Sequence, residues 1–271
     1  MKASLTQIII LLSWTLFAPS SWSRTVEDVH TLISEWQVGE ARTTLQPLLN
    51  ASPSDIELRF AHGRLLFFEG RYRESLDVLD AVKGDLGTRL PDSIKSFHSR
   101  VRDTHEALRS FSEHLTDDGR FLIRYSGRDK AILPYIADVL VATDKALAKD
   151  FGFRPSERIL VEIYPEISFL AKVSPLTQKD IETSGTIALC KYHRLMFTSP
   201  RALVRGYGWR DTVAHEFVHY YVTKVSKNTV PIWLHEGIAK FQESRWRSAP
   251  GAALDPPQEN LLARSLKPTS W

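Results

Sequence analysis

Two histidines and a glutamate in one short segment are the residues of this chain best suited to chemistry. The segment is His215-Glu216-Phe217-Val218-His219, with the two imidazoles four residues apart. On a helix this spacing brings both rings to one face, one turn apart, where they can bind the same metal ion. The Glu216 carboxylate beside them can take a proton from a metal-bound water. Without a metal the same pattern is simply two helix histidines and a solvent-exposed glutamate.

A third ligand would favour the metal site, because catalytic zinc usually has three protein ligands and one water. Glu236 follows His219 by 17 residues, within a segment that reads as a second helix beginning at Pro231. Residues 226–229 form the predicted turn, so two antiparallel helices would bring Glu236 opposite the histidines. The alternative third ligand is His235, which points about 100° away from Glu236 around that helix. We therefore expect His235 at the rim of the site or behind a ligand.

Several other polar residues are candidates to support this site. Asp211 lies one turn before His215, and Glu243 lies two turns after Glu236, so either carboxylate could orient an imidazole or simply face solvent. Candidates to stabilise an oxyanion are His193, Tyr220 and Tyr221. A strand over residues 195–198 is the predicted sheet edge that pairs with an extended substrate, through Leu195, Met196 and Phe197.

The residues before the motif predict a small mixed sheet. After Thr116-Asp117-Asp118-Gly119 the apolar period changes from that of a helix to that of a strand. Strands are predicted at 121–125, 158–164, 187–189 and 195–198, with a turn at 191–193. A helix is predicted over 134–151, with Gly152 as its stop.

Residues 25–83 are helical in pattern and repeat with a period of 34, which resembles tetratricopeptide helix pairs. In this alignment Trp36 stands where the second copy has Gly70. Two copies are too few for a self-standing solenoid, so we expect them to pack on a following helix over 92–115. The repeats either hold a protein partner or form a plain helical hairpin.

The two motifs together resemble the gluzincin metallopeptidases, and more closely the peptidase-MA-like domains that accompany tetratricopeptide repeats in exported bacterial proteins. The matching residues are the His-Glu-x-x-His segment and Trp233-Leu234-x-Glu236-Gly237-x-Ala239 on the next helix. The resemblance covers about residues 119–247. It implies that His215, His219 and Glu236 bind zinc, that Glu216 is the general base, and that peptide bonds are cleaved.

The expected fold class is α+β, with helical-repeat hairpins followed by a zincin-like domain of a small mixed sheet and helices. Residues 1–23 read as a signal peptide, with Lys2 before an 11-residue apolar run that is too short to span a bilayer. The predicted regions are then a tetratricopeptide-like region at 24–115, a gluzincin-like domain at 119–247 and a tail at 248–271, which includes a short predicted helix. We expect an exported protein, periplasmic or secreted, with no membrane span after cleavage.

The composition narrows the function further. Its 35 basic and 32 acidic residues give a net charge of +3, which is too balanced to indicate nucleic-acid binding. The first hypothesis is an exported zinc metallopeptidase acting on a peptide or protein substrate. The alternative is a non-catalytic, repeat-containing scaffold or binding protein with a structural or vestigial metal site. A zinc hydrolase with a non-peptide substrate is the third.

Overall fold

The computed structural model describes residues 24–247 and 249–250. In this part of the chain ten α-helices accompany one five-stranded mixed sheet, which confirms the α+β class. The predicted signal peptide lies outside the described residues, and so does the predicted tail apart from residues 249–250. Among the described helices, none combines the length and the apolar character that crossing a membrane requires.

The first five helices form two hairpins and a further helix: α1 (Val26–Ser34), α2 (Val38–Ala51), α3 (Ile56–Phe68), α4 (Tyr72–Leu86) and α5 (Asp92–Leu108). The turns of the two hairpins have the same geometry 34 residues apart. Trp36 has φ 61° and Gly70 has φ 75°, in the left-handed region that favours glycine. The amide after each of these residues bonds the carbonyl five residues earlier, at 2.8 Å for Gln37 and 2.9 Å for Arg71. Trp36 therefore has the same left-handed backbone as Gly70 at the matching position of the second hairpin.

The sheet has five strands: β1 (Ser112–Leu115), β2 (Phe121–Tyr125), β3 (Ile159–Tyr164), β4 (Ala188–Lys191) and β5 (Arg194–Thr198). Their order is β1-β2-β3-β5-β4, with β2, β3 and β5 parallel and the two edge strands antiparallel to their neighbours. Four of these strands were predicted.

The structure differs from the predicted elements in three places. The helix expected over 92–115 ends at Leu108, and residues 112–115 form β1 instead. The segment 116–119, where we predicted a boundary, is the turn of the β1–β2 hairpin, closed by the Gly119 amide on the Thr116 carbonyl at 2.8 Å. The prediction that β5 is a sheet edge is also wrong, because β5 lies between β3 and β4 with all five of its residues buried.

Helices pack on both faces of the sheet. The remaining helices are α6 (Leu133–Phe151), α7 (Ser168–Val173), α8 (Gln178–Ser184), α9 (Trp209–Ser226) and α10 (Ile232–Gln242). On one face Phe217 of α9 packs edge-on against Phe121, with ring centroids 5.4 Å apart. On the other face the helical region contacts the sheet, where Glu162 accepts a hydrogen bond of 2.5 Å from Tyr72 of α4. The buried Arg194 guanidinium lies 3.2 Å from the same carboxylate.

The helical region also holds the end of α9. Lys224 on α9 donates a hydrogen bond of 2.8 Å to the Trp36 carbonyl, and the amide of Asn228 lies 3.3 Å from the Ser34 carbonyl. The Trp36 ring packs on Tyr220 at 5.5 Å between centroids. The turn between α1 and α2 thus fixes the carboxyl end of the helix that carries the His-Glu-x-x-His segment.

Candidate metal centre

The His-Glu-x-x-His segment lies in the middle of α9, as the sequence predicts. The face of α9 opposite the histidines is apolar and buried, which is why α9 lies flat on the sheet and leaves the histidines at the surface of a cleft. Pro231 ends the following turn and precedes α10, where its fixed φ of −66° suits the start of a helix. The two helices then run side by side with Glu236 facing the histidines.

The three predicted ligands lie together. The Nε2 atoms of His215 and His219 are 3.2 Å apart. The Glu236 carboxylate places one oxygen 3.3 Å from Nε2 of His215 and the other 3.5 Å from Nε2 of His219. Ligand atoms about 2.1 Å from one tetrahedral ion stand about 3.4 Å apart, so the spacing of these atoms fits a zinc ion. The donor set of two imidazoles and one carboxylate is also one that catalytic zinc uses.

Glu216 offers a second way to complete a ligand set. One ligand atom from each of His215, Glu216 and His219 lies within 4.8 Å of the others. The Glu236 oxygens are closer to both Nε2 atoms than this limit, and the Glu236 side chain is 58% exposed to the cleft. Glu216 is buried beneath the histidines, where the backbone amide of Cys190 donates a hydrogen bond to it. Glu236 therefore lies closer to both imidazole nitrogens than that limit, on the open side of the cleft, whereas Glu216 lies beneath them.

The electrostatics of the site separate its titratable groups. Burial raises the pKa of Glu216 to about 7, and the charge of Glu236 adds to this rise while His215 and the Cys190 amide oppose it. Burial also lowers the pKa of His219 to about 3, helped by the two neighbouring imidazoles. For His215 burial acts in the same direction, but the hydrogen bond to Glu243 and nearby carboxylates outweigh it and raise the pKa.

Of the predicted supporting residues, Glu243 and His235 contact the ligands. Glu243 places a carboxylate oxygen 3.2 Å from Nδ1 of His215, and its other oxygen lies 2.5 Å from Nζ of Lys240. His235 lies behind His219, with 2.6 Å between their Nδ1 atoms. Both residues thus occupy the positions from which an imidazole is oriented.

Asp211 does not have the role considered for it. Its carboxylate accepts hydrogen bonds from the Trp246 indole at 2.7 Å and from the Arg247 guanidinium at 2.9 Å. These bonds tie the segment after α10 to the start of α9. Asp211 therefore lines the cleft without orienting His215.

The residues considered for stabilising an oxyanion lie on the side of α9 that faces away from the cleft. His193 and Tyr220 are buried and bonded to each other at 2.7 Å beside Trp36. Tyr221 is also buried, and its hydroxyl donates a hydrogen bond of 2.6 Å to Asp144. These polar groups form hydrogen bonds where the back of α9 packs against the sheet and the helical region. They are therefore remote from the cleft.

The edge strand beside the site is β4, in place of the predicted Leu195, Met196 and Phe197 of β5. The Ile187 carbonyl accepts a hydrogen bond of 2.8 Å from the Thr198 amide, so residue 187 directs its carbonyl toward β5. Since successive residues of a strand direct their backbone groups to opposite sides, those of Ala188 and Cys190 point away from β5. The Cys190 amide reaches Glu216 in this way, and Ala188 lines the same cleft as the three ligands.

No protein-family model, no curated protein and no solved structure matches this chain. The case for a function therefore rests on the geometry of this cleft.

Two supporting residues were missed from the sequence. Lys240 lies one turn after Glu236 on α10, and Thr223 lies one turn after His219 on α9. The spacing of four residues was the available signal in both cases, since it places each beside a ligand on the same helix face. Lys240 neutralises Glu243, and Thr223 lies 3.3 Å from Nε2 of His235.

Proposed function

We propose that this chain is a zinc-dependent hydrolase that cleaves peptide bonds in peptide or protein substrates. The observation that carries the proposal is that the Glu236 carboxylate meets two imidazole nitrogens that are 3.2 Å apart, with one oxygen 3.3 Å from Nε2 of His215 and the other 3.5 Å from Nε2 of His219. These separations are close to the roughly 3.4 Å expected between two ligand atoms of one tetrahedral ion. The gluzincin-like ligand set, the zincin-like arrangement of the sheet and the tetratricopeptide-like repeats belong to the same proposal.

Each residue of the site has a role in this proposal. His215, His219 and Glu236 hold the ion, which when bound polarises a carbonyl oxygen and makes a water molecule more acidic. Glu216 takes the proton of the attacking water and passes it to the leaving amine. The backbone amide of Cys190 donates a hydrogen bond to the Glu216 carboxylate and helps to hold it beneath the histidines. Glu243 orients His215 through Nδ1.

A peptide is the favoured substrate because the edge strand β4 lies beside the ligands and Ala188 lines their cleft. The outward backbone groups of Ala188 can pair with an extended chain, which explains how a substrate without special side chains is aligned. The cleft between β4 and α10 is also lined by Leu176, Thr186 and Leu189. A short polar substrate would leave this wall unused.

The test begins with zinc per chain, measured by elemental analysis on purified full-length protein without added metal. About one equivalent is expected, with hydrolysis of a quenched fluorescent peptide library. Glu216→Gln should keep the zinc and lose at least about 100-fold in rate, whereas Glu106→Gln on α5 should change neither.

Three results would contradict the proposal. A folded chain that binds no zinc would show that the proposed metal site does not exist. Full hydrolysis by the Glu216→Gln protein removes the assigned base. A chain that holds zinc but cleaves no peptide returns the function to a scaffold with a structural metal site or to a hydrolase of another substrate.

A further inference from the structure

His219 is supported from behind by groups that carry no carboxylate. Its Nε2 atom faces His215 and Glu236, and its Nδ1 atom lies 2.6 Å from Nδ1 of His235. The other nitrogen of His235, Nε2, lies 3.3 Å from the Thr223 hydroxyl. A chain of three polar groups therefore leads from the metal position into the contact between α9 and α10.

The protons in this chain can be placed by elimination. A neutral imidazole that binds a metal through Nε2 carries its proton on Nδ1. His219 Nδ1 is then the donor, so Nδ1 of His235 has to be the acceptor. A neutral His235 consequently carries its proton on Nε2, which faces the Thr223 hydroxyl, a group that can accept it. Each of the two hydrogen bonds then has one donor and one acceptor.

We propose that His235 and Thr223 form an uncharged positioning relay that fixes the tautomer of His219 and directs its Nε2 lone pair at the metal. This inference rests on the proposed function, because it assigns Nε2 of His219 to the ion. It differs from the support of His215, where the Glu243 carboxylate is the acceptor and Lys240 balances its charge.

The relay also connects the two helices that supply the ligands. Thr223 and His219 are one turn apart on α9, and His235 precedes Glu236 on α10. The bond between His219 and His235 therefore sets the distance over which Glu236 reaches the histidines. Losing the acceptor at position 235 would therefore leave both His219 on α9 and Glu236 on α10 less well positioned.

The tautomers can be read by NMR once zinc is bound. Two-dimensional ¹⁵N NMR of the imidazoles in the zinc-loaded full chain shows which nitrogen of each ring carries the proton, and the His235→Asn protein assigns the signals. The expected result is a proton on Nδ1 of His219 and on Nε2 of His235. Protons on the opposite nitrogens, or rapid exchange between both forms, would overturn the relay.

Metal affinity supplies the second measurement, by competition for zinc with a chelator of known affinity. His235→Phe keeps a ring but removes the acceptor, and should weaken zinc binding about 10- to 100-fold. His235→Asn restores an acceptor oxygen near the position of Nδ1 and should recover most of this loss. Thr223→Val should give a smaller loss, and His105→Phe on α5 is the matched control with none.

The outcomes separate the relay from the proposed function. Equal zinc affinity in the wild-type, His235→Phe and His235→Asn proteins would overturn the relay while leaving the zinc site intact. Equal losses in the Phe and Asn proteins would also overturn it, because a packing role does not distinguish an acceptor from a ring. A wild-type chain that binds no zinc would refute the proposed function and, with it, the metal-positioning role of His235.

Discussion

Replacing Glu216 with glutamine should stabilise the metal-free chain, and mainly above neutral pH. The residue is 7% exposed, and burial raises the pKa of its carboxyl from 4.5 to about 7. A carboxyl whose pKa is raised on folding favours the protonated form in the folded chain. The stability that this preference contributes is present below pH 4.5 and is lost as the pH rises through about 7.

The size of the effect follows from the two pKa values. Each tenfold change in proton affinity is worth about 1.4 kcal/mol, so wild type should lose about 2.5 kcal/mol from this group between pH 5 and pH 8. Glutamine carries no charge and escapes this loss. Its amide leaves one buried polar group without a partner, which costs about 1 kcal/mol at either pH. Between pH 5 and pH 8, the free energy of unfolding of the Glu216→Gln protein relative to wild type should therefore rise by about 2.5 kcal/mol.

The assay is urea unfolding at pH 5 and pH 8 with a chelator present, followed by circular dichroism. The histidines titrate in both proteins, so their contribution largely cancels in the difference. Excess zinc should remove the advantage of glutamine, because the cation stabilises an ionised Glu216. Glu106→Gln at an exposed position should show no pH-dependent difference. A Glu216→Gln effect that is equal at both pH values would refute the reasoning.

Three further substitutions test the supports of the site. Trp36→Gly relieves a positive φ but empties a buried site, and should lower the free energy of unfolding by about 2–4 kcal/mol in urea denaturation. Glu162→Gln leaves the buried Arg194 without its counter-charge, and should cost about 3–5 kcal/mol in the same assay. Glu243→Gln should weaken zinc binding at His215 about tenfold or more by chelator competition.

Each of these predictions has a result that contradicts it. A Trp36→Gly protein as stable as wild type would mean that the ring contributes no more than its backbone strain costs. An unchanged Glu162→Gln protein would mean that solvent or another group already compensates Arg194. Unchanged zinc affinity in the Glu243→Gln protein would show that His215 is oriented without its carboxylate.

The sequence predicted the local parts of the site well. The spacing of His215 and His219 is a property of one helix, and Pro231 marks the start of the next, so Glu236 could be placed opposite the histidines. The strand at 121–125 has the predicted bounds, since alternation and flanking turn residues are local signals. Glu243 was a candidate for the same reason, because its spacing from Glu236 repeats the helix period.

The failures all depend on contacts between distant segments. Nothing local shows that β4 pairs outside β5, so the edge strand was misplaced. Tyr220 follows His219 directly, yet the helix turns it toward Trp36 and away from the cleft. Asp211 has the right spacing from His215, but Trp246 and Arg247 bind its carboxylate. Charge partners more than 30 residues away cannot be read from spacing along one helix.

The bond between Lys224 and the Trp36 carbonyl joins positions 188 residues apart. During synthesis the helical region is made first. Its α1–α2 turn can contact α9 only after residue 224 has been made. Closing so long a loop costs conformational entropy that local helix formation does not recover. The ligand helix is therefore among the last elements to be secured. A chain stalled or cut before residue 224 would hold His215 and His219 on an unanchored helix and would lack Glu236. Assembly of the proposed metal site would in this way report that the chain has been made at least as far as α10 and has folded.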